Sequence, residues 1–239
     1  MKATQEYNPT LGIKRGKWRG SHDALEQDAA FREAKKRIWH RDRHQCQGCG
    51  FRADQYLEVH HINGDHGNHN LKNLVLLCPL CHQVHHLGFA GMAGRGSLIH
   101  APDIPVFALH VLIHSIWALD AMAAAGHREK AVVRGRAQLR ELHERLSLRQ
   151  ASVIATLGPE GGTPTALSSV MESLSTEEYK RRGAWMGGLR LLPELESFPV
   201  ARKAWGADKG PYRRFPPDTW SALVRQYLPR SLHPARSPA

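Results

Sequence analysis

The sequence predicts an α+β protein, in which a small ββα unit rich in cysteine and histidine precedes a mostly α-helical region. Two observations support this prediction. All four cysteines and nine of the 16 histidines lie between residues 40 and 86, where two short apolar runs have the length of strands. Beyond residue 100, apolar residues recur at helical spacing over stretches of about 20 residues.

The elements around the cysteine-rich segment follow in chain order. Residues 1–22 are expected to be irregular, and apolar side chains on one face predict a helix over 23–40. The alternating stretch "YLEVHHI" (56–62) and the apolar stretch "LKNLVLLC" (71–78) predict two strands joined by a turn. Pro79 is a favourable first-turn residue, so a helix is expected to begin there.

The helical region is expected to follow a glycine-rich joint at 88–96. We expect an apolar helix that begins near Asp103 and ends before Gly126. A charged amphipathic helix is predicted over 127–147, with leucines as its inner stripe. The stretch "LGPEGGTP" (157–164) predicts a loop.

Two further features lie nearer the C-terminus. Ser175 and Glu178 have the spacing of a capping box, which predicts a helix that runs towards Gly187. The tail from Pro229 is predicted to be disordered. The chain contains no internal repeat.

One stretch, 104–126, is about long enough to cross a bilayer, which takes roughly 20 residues. His110, His114 and Asp120 interrupt it, and no aromatic and basic flanks bracket it, so we interpret it as a buried core helix and expect no membrane span. The N-terminus lacks the apolar stretch of a signal peptide, and the few cysteines suit a reducing compartment. We therefore expect a cytoplasmic protein.

The charge of the chain favours a polyanionic partner. The sequence holds 33 Lys and Arg against 22 Asp and Glu, a net charge of +11, which suits nucleic acid better than acidic lipid. The excess lies at the two ends, because residues 46–196 hold 14 of each sign. The candidate phosphate contacts are basic residues near the N-terminus: Lys14, Arg15, Lys17, Arg19, Lys35, Lys36, Arg41 and Arg43. The alternative is a solvated arm and surface.

The four cysteines form two C-x-x-C pairs. Cys46 and Cys49 make the first pair, and Cys78 and Cys81 make the second. Each pair is a zinc knuckle, a turn that brings two thiolates to one point, and two such turns complete a tetrahedron. The sequence therefore predicts a structural Zn²⁺, with free buried thiols or a redox pair as the alternatives.

The histidines of the same segment need a separate explanation, because the cysteines complete a site on their own. His60 and His61 are adjacent on a strand, so they point to opposite faces and cannot do the same job. His82 and His86 are four residues apart on a predicted helix and share a face. Strand, strand and helix thus bring His60, His82 and His86 towards one cation, with His61 beside it. His85 competes with His86, and the four-residue spacing favours His86.

Other histidines are not expected to bind metal. His66 and His69 lie on the predicted hairpin loop and are expected to be solvated. His110 and His114 are expected on the surface or in the core of the long apolar helix.

The segment resembles the HNH endonucleases, the ββα-metal fold, in the variant with zinc knuckles. The matching residues are the "HH" at 60–61, Asn73 in "KNL" and the histidine of "CxxCH" at His82. The resemblance implies that His61 is the general base that takes a proton from the attacking water. It implies that Asn73 holds the hairpin and orients that imidazole. His60 and His82 would bind the divalent cation, with His86 as a third ligand.

The chemistry of phosphodiester hydrolysis fits these roles. The reaction needs an activated water, and a Lewis acid that stabilises the charge on phosphorus and on the leaving oxygen. Histidine, with an ordinary pKa of about 6.5, is a workable base near neutral pH. Nitrogen ligands suit zinc or nickel, whereas magnesium prefers oxygen. The catalytic cation is therefore left open among Mg²⁺, Mn²⁺, Ni²⁺ and Zn²⁺, and the expected substrate is nucleic acid, DNA before RNA.

A wider part of the chain is similar to the IcmJ/DotN family of type IVB secretion components. The similar stretches are "FREAKKRIWHRDRHQCQGCGF", "GSLIHAPDIP" and "WMGGLRLLPELESF". This resemblance implies an HNH-like zinc fold followed by helices, and a role in the coupling complex that hands effectors to the secretion channel. It implies a coupling ATPase as partner, at the cytosolic face of the inner membrane. The nuclease positions are commonly lost in that family, whereas this chain has His60, His61, Asn73 and His82.

Two functions from different classes therefore follow from the sequence. One is a metal-dependent nuclease whose basic ends hold the phosphate backbone, and the other is an adaptor whose zinc fold and helices dock onto a coupling ATPase. The intact site favours the nuclease, and the neutral middle of the chain favours the adaptor. The expected organisation is a basic arm and helix at 1–40, the HNH/zinc unit at 41–92, a helical domain at 100–205 and a basic, partly disordered tail at 206–239.

Overall fold

Two antiparallel sheets of two strands each lie among the helices of the chain, which confirms the predicted α+β class. The structure is a computed structural model that describes residues 9–15 and 28–233. The elements of its first part are α1 (Ala29–Arg41), β1 (Glu58–His61), β2 (Leu74–Leu77), α2 (Pro79–His82), α3 (Leu87–Met92) and β3 (Gly96–His100). The later elements are α4 (Val106–Ala124), α5 (Lys130–Ser147), α6 (Gln150–Gly161), α7 (Pro164–Ser173), α8 (Thr176–Lys180), α9 (Gly183–Met186), β4 (Leu189–Pro193), α10 (Pro199–Gly206) and α11 (Pro217–Tyr227).

The predicted ββα arrangement is present. β1 pairs with β2, so that His60 lies opposite Val75 and His61 lies opposite Leu74. Pro79 opens α2, as its fixed φ and missing N–H favour. The helix ends earlier than expected, because a single 3₁₀ turn follows it over Gln83–His85.

An arginine–aspartate latch joins α1 to β2. Asp42 is 8 % exposed, and its carboxylate accepts hydrogen bonds from the guanidinium of Arg41 at 2.6 and 2.9 Å and from the Leu76 N–H at 3.0 Å. Arg41 also donates to the carbonyl oxygens of Leu71 and Leu74, at 2.7 and 2.9 Å. The latch therefore fixes the hairpin against the helix that precedes the first cysteine pair.

The start of α1 is set by a capping residue. The Oδ1 atom of Asp28 accepts from the backbone N–H groups of Ala30 and Phe31, at 2.8 and 3.2 Å. Such a side chain satisfies donors that the first turn of a helix leaves without partners. The predicted helix over 23–40 is thus observed from Ala29, and residues 23–27 lie outside the described residues.

The long apolar helix α4 forms the centre of the core. Among the described helices it alone is long and apolar enough to cross a bilayer, and 78 % of its apolar window is buried inside the protein. Its Trp117 indole donates to the Leu195 carbonyl oxygen at 2.7 Å. One cluster of buried side chains around it extends from Ala34 to Leu232 and includes all four cysteines. The interpretation of 104–126 as a core helix therefore agrees with the structure.

The helix after α4 follows the expected pattern. The charged helix predicted over 127–147 is observed as α5, and Leu139, Leu142 and Leu146 form its buried stripe. These leucines pack in the same cluster as α4. The amphipathic spacing thus identified both the helix and its inner face.

Three local expectations differ from the structure. Part of the glycine-rich joint at 88–96 is helical, as α3, because its glycines allow close contact with α7. The loop expected at 157–164 is instead an extension of α6 with a kink at Gly158, whose φ of +78° favours glycine. The capping box of Ser175 and Glu178 is confirmed, at 3.2 and 2.7 Å, but its helix ends at Lys180, and α9 follows separately.

Two further features were not expected from the sequence. β3 and β4 pair although they are separated by about ninety residues, with Leu98 opposite Leu191. In the basic C-terminal region, α11 buries Trp220 and Val224, and Leu232 is also buried. Residues 234–239 lie outside the described residues.

The latch gives a first prediction. Replacing Asp42 with alanine leaves the buried Leu76 N–H without its acceptor and removes two of the hydrogen bonds of the Arg41 guanidinium, so we expect the free energy of unfolding to fall by about 2–3 kcal/mol. Chemical denaturation followed by circular dichroism measures this. The control is Asp208→Ala, whose side chain is 99 % exposed, with an expected change within about 0.5 kcal/mol. Equal effects of the two substitutions would contradict the role of the latch.

Candidate metal centres and catalytic site

The four cysteines converge in the core. Their Sγ atoms all lie within 4.8 Å of one another, and those of Cys49 and Cys78 are 3.6 Å apart. Cys46 and Cys49 lie on a turn after α1 that Gly50 closes at a φ of +76°, while Cys78 and Cys81 flank the start of α2. Four sulfurs at this spacing suit a tetrahedral zinc ion. Burial raises the pKa of the Cys78 and Cys81 thiols, so a cation is needed to hold them as thiolates.

Two histidines of α4 contact these sulfurs. The Nδ1 atom of His110 lies 3.1 Å from the Cys81 Sγ atom, and the Nε2 atom of His114 lies 3.5 Å from the Cys78 Sγ atom. On its other side, the Nδ1 atom of His114 lies 2.9 Å from the Tyr212 hydroxyl group. Burial lowers the pKa of His110 to about 4 and that of His114 to about 3, so both imidazoles are neutral. Of the two expected positions, surface or core, the structure shows the core, and each ring lies within hydrogen-bonding distance of a sulfur.

Three other histidines form a second group outside the cysteine cluster. One nitrogen from each of His60, His82 and His86 lies within 4.8 Å of the others, and the Nε2 atoms of His82 and His86 are 3.0 Å apart. The Nδ1 atom of His82 is hydrogen-bonded to the Glu58 carboxylate. A carboxylate only accepts, so His82 carries its proton on Nδ1 and presents the lone pair of Nε2 to the group. The arrangement provides three nitrogen ligands for one cation.

The protonation of this group also suits a cation. Burial lowers the pKa of His86 to about 3 and that of His60 further, so their rings are neutral at neutral pH. His85, the competing candidate, stacks on His60 with ring centroids 4.0 Å apart. It packs against the group of three without contributing a nitrogen to it. The structure thus brings His86, rather than His85, to His60 and His82.

His61 lies on the other face of β1, as the alternation of a strand requires. It is 2 % exposed, between the rings of Phe31 and His66, with centroid distances of 5.5 and 4.9 Å. Burial lowers its pKa to about 4, so the imidazole is neutral and can accept a proton. Its Nε2 atom lies 3.1 Å from the Nδ1 atom of His69. The expectation that His66 and His69 are solvated is wrong, because both pack against His61.

Asn73 shapes the loop between the strands. Its Oδ1 atom accepts from the Asn63 N–H at 3.0 Å, and its Nδ2 atom donates to the Asn68 carbonyl oxygen at 2.9 Å. The Ile62 N–H also donates to the Asn73 carbonyl oxygen at 2.8 Å. The side chain therefore holds the hairpin that carries His61.

The basic candidates divide into several environments. Arg15 donates to the carbonyl oxygens of Leu174 and Ser175, and Arg41 belongs to the latch described above. Lys36 is exposed and lies 3.6 Å from Glu33.

The remaining candidates are spread over the surface. Lys35 is half-buried on α1, and Arg43 is exposed on the turn that follows. Lys14 lies close enough to His86 for its charge to contribute, after burial, to the lowered pKa of that ring. Lys17 and Arg19 lie outside the described residues.

Sequence reasoning missed three residues of the site. Glu58 is two positions from His60 on β1, so strand alternation would have placed it on the same face. His69 and Asp28 are distant in sequence and gave no such signal. An open cleft of about 600 Å³ adjoins them, between α1 and the loop before β2, and its lining includes Arg37, His69 and Lys72.

Comparison with known proteins gives two findings. Residues 46–87 match the family model described as HNH endonuclease. The chain is 27 % identical to "Type 4 apparatus protein DotN" of Legionella pneumophila over an aligned stretch of 194 residues. This stretch covers 80 % of the chain and 86 % of DotN. Both resemblances drawn from the sequence are thereby confirmed: an HNH-type segment carries the cysteines and histidines, and most of the chain is similar to a type 4 apparatus protein.

Proposed function

We propose that the chain is a metal-dependent endonuclease of the HNH type that hydrolyses phosphodiester bonds in nucleic acid, DNA before RNA. The supporting observation is the convergence of His60, His82 and His86 beside a buried, neutral His61. A site kept for structure alone would need only the four sulfurs. The separate histidine group has the ligand number of catalytic metal sites, which leave a position open.

Each residue has a defined task in this reaction. His60, His82 and His86 hold the divalent cation, which supplies Lewis acidity to the phosphate and the leaving oxygen. His61 accepts the proton of the water whose oxygen attacks phosphorus, while the P–O bond to the leaving oxygen breaks. Glu58 fixes the tautomer and orientation of His82, as carboxylates do for metal-binding histidines. Nitrogen ligands favour Zn²⁺ or Ni²⁺ over Mg²⁺ and Mn²⁺.

We further propose that the cysteine cluster holds a structural Zn²⁺. Its sulfurs are fully buried and closed off from solvent, so it can stabilise the fold but cannot bind substrate. The N–H groups of His110 and His114 donate to the thiolates and spread their negative charge.

The contact of His114 gives a prediction about this zinc ion. His114→Phe keeps a ring stacked on Phe51, at 4.0 Å between centroids, but removes the N–H donor to Cys78. We expect zinc release to a chromogenic chelator to become about 10- to 100-fold faster, because partners of metal ligands contribute that much to affinity. The control is His40→Phe, an exposed histidine. An unchanged release rate in a folded His114→Phe variant would contradict the role of the hydrogen bond.

The general base gives a third prediction. Purified protein should nick supercoiled plasmid DNA with at least one of Mg²⁺, Mn²⁺, Ni²⁺ and Zn²⁺, and His61→Ala should reduce the rate by about 10²- to 10⁴-fold, the usual contribution of a general base. Metal analysis should find two ions per chain, one removed by mild chelation without unfolding. His61→Ala should keep that exchangeable ion, whereas His82→Ala should lose it.

The exposed His40→Ala is the matched control and should cut like the wild type. If no cation supports cleavage by the wild type, or if His61→Ala cuts equally well, the endonuclease proposal is overturned. A single ion per chain that resists mild chelation would contradict the assignment of the histidine group to a second cation.

A second function is favoured by the identity of 27 % over most of the chain to DotN, a type 4 apparatus protein. In this alternative, the protein is an adaptor that docks onto a coupling ATPase at the cytosolic face of the inner membrane. The zinc-stapled fold and its helices then serve as a rigid scaffold, and the histidine group has no role in cutting.

The two functions differ in what His61 contributes. For an adaptor, His61→Ala should bind the purified coupling ATPase as tightly as the wild type and should fully support effector secretion in cells that encode the chain. For a nuclease without an adaptor role, neither form binds the ATPase. Isothermal titration calorimetry of the full-length chain against the ATPase measures the binding. A secretion assay measures how much effector the cells export.

A further inference from the structure

We propose that Asp28 and His69 are positioning residues that hold the proton of His61 on Nε2 and so leave the lone pair of Nδ1 for the attacking water. This inference rests on the proposed function of His61 as general base. It adds two residues to the motif positions His60, His61, Asn73 and His82. Asp28 lies before the matched segment 46–87, and His69 lies within it. The three side chains form one continuous hydrogen-bonded row.

The row fixes one set of proton positions. The Nε2 atom of His69 lies 3.1 Å from the Oδ2 atom of Asp28, and the Nδ1 atom of His69 lies 3.1 Å from the Nε2 atom of His61. A carboxylate has no proton to give, so His69 donates from Nε2 to Asp28. In the row that we propose, the Nδ1 atom of His69 is the acceptor, so His61 donates from Nε2 and its Nδ1 atom carries the lone pair.

The aspartate at the end of the row is itself held in place. Its Oδ1 atom caps α1 by accepting from the N–H groups of Ala30 and Phe31, which leaves Oδ2 for His69. The hydrogen bond from His69, followed by the backbone hydrogen bonds, lowers the pKa of Asp28, so it remains a carboxylate. The start of α1 thus sets the position of the carboxylate to which the row is anchored.

Ring packing holds the two imidazoles in the same orientation. Phe31 contacts both, with ring centroids 5.5 Å from His61 and 5.4 Å from His69. His66 covers the opposite face of His61 at an interplanar angle of 16°. The imidazolium that forms when His61 takes a proton keeps Nε2–H directed at His69.

The substitution Asp28→Asn tests the row because it reverses its polarity. Asparagine caps helices as well as aspartate does, so its oxygen stays on the backbone N–H groups and its NH₂ group faces His69. His69 must then accept at Nε2 and donate from Nδ1, which forces the proton of His61 onto Nδ1. The wrong tautomer of the base is then populated while the cap is kept.

The first measurement is independent of cleavage. In ¹⁵N NMR of the protein that carries only its structural zinc, the His61 ring should show a protonated Nε2 in the wild type and a protonated Nδ1 in Asp28→Asn. His69→Phe, which keeps a ring beside Phe31, should give a mixture of both tautomers. The control Asp208→Asn removes the same charge from a side chain that is 99 % exposed and should match the wild type.

The second measurement is plasmid nicking at saturating cation. We expect kcat to fall by about 10- to 100-fold in Asp28→Asn, a part of the full contribution of a general base, with KM little changed. A proton on Nδ1 in the wild type, or no tautomer change in Asp28→Asn, overturns the inference. If none of the cations supports cleavage by the wild type, the proposed function fails. The NMR result then shows separately whether the row of hydrogen bonds exists.

Discussion

The burial of four sulfurs at one point is the constraint on which the rest of the structure depends. Isolated thiolates would be costly in an apolar core, so four sulfurs at one point favour a shared cation. The turn after α1 and the start of α2 supply the sulfurs, and α4 supplies the two imidazoles that contact them. This meeting of three segments fixes the hairpin between them, and the hairpin carries His60 and His61, one residue from each histidine group.

β1 separates two histidine environments with different chemistry. On one face, three imidazoles each place a ring nitrogen near a shared point, and Glu58 is hydrogen-bonded to one of them. On the other face, His61 lies among rings, and Asp28 ends its row of hydrogen bonds. Burial lowers the pKa of both His60 and His61, which favours the neutral rings that cation binding and proton acceptance require. Adjacent residues can therefore have different tasks without competing for one ion.

The sequence predicted the features that depend on short spacing. Two C-x-x-C pairs, strand alternation at His60 and His61, and the proline that opens α2 indicated the ββα unit, and leucine spacing indicated α5. The β3–β4 pair was missed because its strands are far apart in the chain. The contacts of His69 with Asp28, and of His114 with Cys78, were missed because local patterns carry no information about tertiary neighbours.

The contacts between α4 and the sulfurs limit how the chain can evolve. Gene shuffling that transplants the segment 46–87 into another protein would leave behind His110 and His114, and the new host would need donors of its own. The histidines proposed for cutting, in contrast, form a group separate from the four sulfurs. Substitution of these histidines would therefore leave the ligands of the cysteine cluster in place.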